Sequence, residues 1–297
     1  MVFADWVSLA LLASALGGFT IIIDKVLLTK YAKDWIYLTA FLGVIVFLPF
    51  LIFPFFINIF TSVIFIGILA GVFFRLAVFS YMKALSFEEA SRVIPLWLMS
   101  PIFVLVLERI FLEEQLFLHH YAGMFAVIAG SFIIMTRSVK GLFRLSPAFY
   151  LMILSGIIFA FNEVIMKFAF TISDFFPVIF WTSAGSMLTS VPFLLFKFKK
   201  RHRLFYRKDK LSLILPAGVI LFFASIITYW YAIKLGPVSM VSTLGSADGL
   251  FVFFYAIIFT KFAPSVLKEA IDRKTLLTKA AAIAIIIAGV FLINGGV

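Results

Sequence analysis

Long apolar runs, separated by short polar breaks, dominate this sequence. A membrane-spanning helix needs about 20 mostly apolar residues, and ten runs reach or approach that length. They are residues 6–28, 35–57, 61–85, 91–112, 119–136, 147–170, 175–196, 211–235, 237–260 and 276–294. The alternating pattern of a membrane β-barrel strand is missing. The sequence therefore predicts an all-α membrane protein with ten transmembrane helices, in which short breaks make consecutive helices antiparallel neighbours.

The same pattern of apolar and polar positions occurs twice along the chain. Residues 81–101 resemble residues 231–251, with Tyr81 matching Tyr231 and Leu85 matching Leu235. We therefore predict two repeats of five helices each, residues 1–145 and 146–297. Because five is odd, the second repeat enters the membrane upside down relative to the first. Inverted repeats of this kind are typical of transporters.

The distribution of basic residues predicts the orientation of the chain. Lys and Arg collect in the cytoplasmic loops of membrane proteins. Of the 25 basic residues, all but Arg75, Arg109, Lys167 and Lys234 fall on the side opposite the N-terminus, eight of them in residues 197–210. We therefore expect both termini to be extracytoplasmic, in the cytoplasmic membrane of a prokaryote.

Composition excludes several other classes of protein. Hydrophobic residues make up 64% and charged residues 13% of the chain, whereas soluble domains are about 45–50% apolar and about 25% charged. The net charge of +11 comes largely from loops beside apolar runs, so we expect no nucleic-acid partner. Cysteine is absent and there are only three His, so we expect no metal site, no cofactor and no thiol chemistry.

An ordered set of residues around the end of the third predicted span and the two spans after it is informative. The set is Ala84-Leu85-Ser86, Ala90, Pro101-Ile102-Phe103, Phe111-Leu112-Glu113-Glu114-Gln115-Leu116, Gly123 and Ala129-Gly130. It resembles the EamA-type repeat of the drug/metabolite transporter superfamily. Glu113 departs from that repeat, which has Gly at this position, and Phe251 stands where the first half has Pro101.

The resemblance implies a carrier of small metabolites that works by alternating access and is not an enzyme. It also implies a central cavity between the first, third and fourth helices of one half and their counterparts in the other. The fifth and tenth helices are expected at the periphery.

Three charged residues lie well inside predicted spans: Arg75, Glu163 and Asp248. A charged side chain at the centre of a membrane helix costs about 2.5–3.5 kcal/mol on insertion scales, so it is a functional candidate by default. These three residues either bind substrate or protons, or pair with one another and hold the two halves together.

Other candidates for the site are polar, aromatic or basic residues near these three. They are Trp97, Asn162, Tyr81, Tyr231, Arg92 and Lys167. Each has an alternative role. The Tyr side chains suit the membrane interface, Arg92 suits a cytoplasmic anchor, and Lys167 suits either an ion pair with Glu163 on the same helix face or an interfacial position. Asp24 and Lys25 are expected at the interface.

Helix-breaking residues in the fourth and ninth predicted spans are candidates for gates. Pro95 and Pro101 favour a kink in the fourth span, and Gly245 and Gly249 loosen the ninth.

The function that fits these features is secondary transport of a small polar or amphipathic metabolite. Two acids and one Arg suit a zwitterion such as an amino acid or its derivative, and they permit proton coupling. The alternatives are a lipid-linked sugar flippase, an integral membrane enzyme and a non-transporting subunit. The expected partners are the substrate and the lipid bilayer, and both a monomer and a homodimer remain open.

Overall fold

The computed structural model describes residues 5–27, 34–56, 58–59, 62–87, 96–135, 146–198, 211–262 and 273–294. Within these residues the regular structure is helical, with eleven α-helices and one 3₁₀ helix. The α-helices are α1 (Asp5–Val26), α2 (Trp35–Phe47), α3 (Ile64–Phe87), α4 (Ser100–Phe111), α5 (Leu118–Met135), α6 (Pro147–Ile172), α7 (Phe175–Phe198), α8 (Leu211–Leu235), α9 (Val238–Gly245), α10 (Asp248–Phe262) and α11 (Arg273–Asn294). The 3₁₀ helix is Leu48–Phe55.

Six of the predicted spans are long and apolar enough to cross a membrane in the described part of the chain. They are Trp6–Asp24, Trp35–Ile52, Ile64–Ser86, Pro147–Ile172, Phe175–Phe196 and Ile214–Leu235. Shorter apolar helices cover Leu118–Ile133, Val238–Val252 and Ala280–Ile293. These lengths and compositions are those of a multi-pass membrane protein.

Two predicted spans are not continuous α-helices. The second span changes from α2 to the 3₁₀ helix at Leu48, where Pro49 and Pro54 have no N–H to donate to the helix. The ninth span divides into α9 and α10 at residues 246–247. There Ala247 N–H donates to Leu244 O at 3.0 Å, a tighter pattern than that of an α-helix.

In the described part of the fourth predicted span, residues 96–97 are helical, residues 98–99 form a turn, and α4 begins at Ser100. Pro101 lies in the first turn of α4, where a proline removes no helix hydrogen bond. Pro101 therefore stands at the start of α4, directly after the turn at residues 98–99, and its part in gating stays a prediction. Pro95 and Arg92 fall outside the described residues.

The helices pack in a bundle in which α1 and α3 each contact several other helices. α3 packs against α6 and α7, while α1 packs against α8 and α10. α5 and α11 form their most extensive contact with each other. Glycines allow the closest approaches, since a Cβ added at Gly71 would lie 1.9 Å from Thr182 O.

Glu113 follows α4 with a backbone φ of 53°. This is the left-handed region, which glycine adopts without the steric cost that other residues meet. Glycine, which the EamA-type repeat has at this position, would adopt this conformation without that cost, whereas Glu113 adopts it with a side chain.

Candidate functional site

A cavity of about 230 Å³ lies between α1, α3, α4, α6, α8, α9 and the start of α10. Its walls are largely apolar, with small hydroxyl groups from Ser14, Thr20 and Ser225. Two carboxylates, Asp24 and Asp248, line it as well. A concave, mostly apolar site with a few polar groups is the usual form of a small-molecule site.

Asp248 reaches the cavity because the ninth span is broken. The residue begins α10, and its carboxylate lies near the backbone N–H of Gly249, a favourable position for an anion. The Ser14 hydroxyl of α1 lies within hydrogen-bond distance of Leu244 O (2.7 Å) and Gly245 O (3.2 Å), as well as of Ala10 O on its own helix (3.0 Å). A hydroxyl has one hydrogen to donate, and here it is shared among carbonyls of α1 and of the end of α9, so α1 packs directly against the break.

Asp24 lines the cavity wall from the last turns of α1. The signal for this position was present in the sequence. Ala13, Gly17, Thr20 and Asp24 recur three to four residues apart, which places small and polar residues on one helix face.

An aromatic wall borders the same end of the cavity. The ring centroid of Trp97 lies 5.3 Å from that of Tyr81 and 4.9 Å from that of Phe159. Tyr81 also interacts electrostatically with both Asp24 and Asp248. The structure thus brings together two predicted site residues, Tyr81 and Trp97, with the two carboxylates.

Glu163 lies behind the cavity wall rather than in it. It is fully buried, and its Oε1 accepts a hydrogen bond from the hydroxyl of Tyr229. Tyr229 itself lines the cavity, as does Ser242, which lies beside the same carboxyl. In the part of the chain that the structure describes, Glu163 Oε2 has no hydrogen-bond partner.

Asn162 is buried beside Glu163 and serves the packing of α6 on α3. Its Nδ2 donates to Ala70 O at 2.9 Å. Tyr231, by contrast, is 40% exposed and packs on Phe175 with ring centroids 5.0 Å apart, outside the cavity. The two tyrosines matched in the sequence therefore have different surroundings.

Arg75 lines a second, smaller cavity of about 60 Å³ that adjoins the first. Thr20, Asp24 and Met82 line both cavities. Arg75 Nε donates to Ser186 Oγ at 3.0 Å, and Nη1 donates to Thr39 O at 3.3 Å. The alternative in which Arg75 pairs with Glu163 or Asp248 is therefore not the arrangement found in this structure.

Lys167 and Glu108 hold the link between α8 and α9. Lys167 Nζ donates to Ile233 O at 3.2 Å and to Gly236 O at 2.7 Å. Glu108 Oε1 accepts from Val238 N–H at 2.6 Å, and Oε2 accepts from the next N–H of α9 at 3.1 Å. A cation at the end of α8 and an anion at the start of α9 both complement the helix dipoles.

This arrangement replaces the expected ion pair of Lys167 with Glu163. Glu108 is 1% exposed and was missed by sequence reasoning, although an acid inside an apolar run was the signal that identified Glu163. We name the Glu108–Lys167 arrangement the α8–α9 clasp. The ring of Trp6 packs directly on Gly236 at the same place, since a Cβ on Gly236 would lie 2.5 Å from it.

The expected gating glycines flank the break between α9 and α10. Gly245 is the last residue of α9, and Gly249 is the second residue of α10. A Cβ on Gly245 would lie 2.9 Å from the ring of Tyr229. The close approach links the break to the Tyr229–Glu163 pair.

Comparison with known proteins finds one family model that matches part of the chain. Residues 5–136 match the EamA-like transporter family, part of the drug/metabolite transporter superfamily. This part of the chain is therefore similar to the EamA-like transporters, and the long apolar helices are those of a multi-pass membrane protein. Such families are typically transporters rather than enzymes.

One solved structure shows that the likeness in fold extends beyond the matched residues. It is described as "Crystal structure of protein" and is similar to this chain with a TM-score of 0.70 and 14% identity. The alignment covers 98% of this chain and 96% of that chain. No curated protein matches this chain.

Proposed function

We propose that this chain is a secondary transporter of a small polar or amphipathic metabolite, with an amino acid or its derivative as the favoured class. The cavity carries the proposal, because it combines two carboxylates with an aromatic wall inside a helix bundle. Carboxylates and aromatic faces together suit a substrate with a cationic group. The acids Asp24 and Asp248 bind that group, and the aromatic wall receives the apolar part.

We further propose alternating access between two inverted repeats, residues 1–145 and 146–297. The packing supports this. In the predicted repeats, α1 corresponds to α6, α3 to α8, and α4 to α10. The α1–α8 contact then corresponds to the α6–α3 contact, and both are extensive. The α1–α10 contact likewise corresponds to the α6–α4 contact, and both are present in the structure. Rocking of one repeat against the other then opens the cavity to either side.

The cavity in this structure belongs to one end of the bundle. Its aromatic wall and Asp24 lie where α1 and α3 end, while the α8–α9 clasp and Trp6 close the opposite end. Because basic residues collect at the end where α1 finishes, that end is cytoplasmic. On this ground we propose that the cavity faces the cytoplasm in this conformation.

This orientation predicts that both termini lie outside the cell membrane. An epitope tag fused to either terminus is expected to bind antibody in intact cells without permeabilisation. A tag inserted in residues 197–210, the basic loop, is the matched control and is expected to bind only after permeabilisation. The opposite result at both sites would reverse the orientation and make the observed cavity outward-facing.

Proton coupling is proposed through Glu163. Its carboxyl accepts a hydrogen bond from the Tyr229 hydroxyl, with Ser242 beside it, and Glu108 also acts on it electrostatically. Tyr229 also interacts electrostatically with Asp248. A change in the protonation of Glu163 would thus reach the cavity through Tyr229, which is the contact that a coupling site needs.

The test is uptake of radiolabelled amino acids by proteoliposomes under an imposed inward proton gradient. We expect the gradient to stimulate uptake by the unsubstituted protein, and Glu163→Gln to lose at least about 10-fold of that stimulation, equivalent to about 1.4 kcal/mol. Exchange without a gradient should survive in Glu163→Gln. Glu113→Gln, which alters an exposed acid, is the control. Unchanged stimulation in Glu163→Gln would remove Glu163 from coupling, and no uptake of any amino acid would remove that substrate class.

A further inference from the structure

The side cavity around Arg75 contains a buried cation that no acid contacts in the described part of the chain. Arg75 is 4% exposed, and its hydrogen bonds go to a hydroxyl and a carbonyl. Burying a charge costs several kcal/mol unless a partner of opposite charge compensates it. A guanidinium held in a cavity wall without such a partner is therefore suited to an anionic group brought by a ligand.

The guanidinium is held in place from several sides. Its Nε and Nη1 are fixed by Ser186 of α7 and Thr39 of α2. Its Cζ lies 5.8 Å from the ring centroid of Phe47 and 5.7 Å from that of Phe74, within the range of cation–π attraction. Three helices thus orient the group before any ligand arrives.

Gly43 of α2 also packs against the guanidinium group of Arg75. A Cβ added there would lie 2.5 Å from Arg75 Cζ and 2.7 Å from Nη2. The guanidinium consequently packs directly on the backbone of α2. Such close packing leaves little freedom for Arg75 to turn away from the cavity.

The remaining donors of Arg75 suit a carboxylate. A guanidinium has five N–H groups in a planar fork, and the two hydrogen bonds described use only part of this set. The fork matches a carboxylate with two parallel hydrogen bonds. The cavity of about 60 Å³ exceeds the roughly 10–15 Å³ that one water needs on this measure, so a carboxylate group has room.

Asp24 connects this cavity to the main one. It lines both, together with Thr20 and Phe222. A ligand whose anionic group lies at Arg75 therefore meets an acid at the junction, and its apolar part meets the aromatic wall of Trp97 and Phe159 beyond. In an α-amino acid the carboxylate, the ammonium and the side chain leave one carbon atom in different directions, which matches this order of groups.

We propose that the side cavity is the carboxylate subsite for an α-amino acid with an apolar or aromatic side chain. Arg75 binds the carboxylate, Asp24 and Asp248 bind the ammonium, and the side chain occupies the main cavity. The subsite rests on the proposed function in that the main cavity is the substrate site. The subsite adds a group that lets the protein bind an amino acid in preference to the amine that lacks its carboxylate.

The experiment uses the purified full-length protein in detergent and a chloride-free gluconate buffer. The probes are L-phenylalanine, phenethylamine, which lacks the carboxylate, and hydrocinnamate, which lacks the ammonium. Sodium chloride is a fourth probe, because chloride can also occupy a cationic site. Binding is measured by ligand-dependent thermal stabilisation.

We expect the unsubstituted protein to bind L-phenylalanine at least about 10-fold more tightly than phenethylamine. Arg75→Gln should lose this preference while its binding of phenethylamine stays the same. Arg75→Lys, which keeps the charge but not the fork, should retain part of the preference and guards against a folding defect in Arg75→Gln. Arg109→Gln is the control, since Arg109 is exposed and bonds only the backbone of Glu114 within the described residues.

Three results would overturn the subsite. They are a carboxylate preference that survives in Arg75→Gln, stabilisation by chloride through Arg75 equal to that by L-phenylalanine, and binding of none of the probes. Measuring flux in proteoliposomes distinguishes a failure of the subsite proposal from a failure of the transport proposal. Equal flux of L-phenylalanine and phenethylamine removes the subsite and keeps transport, whereas preferential binding without flux keeps the subsite and removes transport.

Discussion

Asp248→Asn is expected to reduce transport of a substrate with a cationic group by about 100-fold. Asp248 lines the main cavity at the start of α10, and Tyr81 and Tyr229 lie within its electrostatic reach. Removing one partner of a desolvated charge pair costs about 2–5 kcal/mol, and each 1.4 kcal/mol is a factor of ten. Asparagine keeps the shape and the helix position but loses the charge.

The measurement is the initial rate of amino-acid uptake into proteoliposomes at several substrate concentrations. Asp24→Asn should show a loss of similar size, because Asp24 lines the same cavity from α1. Asp174→Asn is the matched control, since Asp174 is exposed at the link between α6 and α7. If Asp248→Asn and Asp174→Asn transport equally well, Asp248 has no part in binding the substrate.

Gly71→Ala is expected to destabilise the protein by about 3 kcal/mol, at the upper end of overpacking costs. The added Cβ would lie 1.9 Å from Thr182 O and 2.7 Å from Ser186 N. Both are backbone atoms of α7, so no side chain can rotate away, and α3 and α7 must separate instead. Because Ser186 holds Arg75, the same separation should also weaken the binding of L-phenylalanine.

Thermal unfolding of the purified variant in detergent measures the first effect. Gly156→Ala is the control, because its Cβ would meet only ring atoms of Phe103 at 3.2 and 3.3 Å and a backbone carbon at 3.7 Å. That ring can shift, and alanine gains about 1 kcal/mol over glycine in helix propensity. Equal stability of the Gly71→Ala and Gly156→Ala proteins would show that the α3–α7 contact is less tight than described.

Much of the helical framework could be predicted because apolar length alone decides where a chain can cross a bilayer. The spans that begin at Trp6, Ile64, Pro147 and Phe175 follow the predicted runs closely. The breaks within the second and ninth predicted spans were harder to predict. The 3₁₀ helix after α2 has a local cause in Pro49 and Pro54, but the end of α9 depends on Ser14, which lies 230 residues away in the chain.

Part of the candidate site could also be predicted from the sequence, because a charged residue inside an apolar run stands out. Charged residues inside apolar runs identified Arg75, Glu163 and Asp248, and the structure gives each a different setting. Asp248 faces the main cavity, Arg75 faces the side cavity, and Glu163 lies behind Tyr229. Whether these residues bind substrate or protons stays a prediction, as do the roles of Trp97 and Tyr81.

The sequence by itself determined the membrane environment, the membrane-spanning length of the helices and the resemblance to the EamA-type repeat. Those properties depend on composition and on local periodicity. Only the tertiary structure decided that Lys167 binds carbonyls instead of Glu163, that Asp24 lines both cavities, and that Glu108 binds the start of α9. A buried polar group takes its partner from whichever helix packs against it, and that choice is made between residues far apart in the chain.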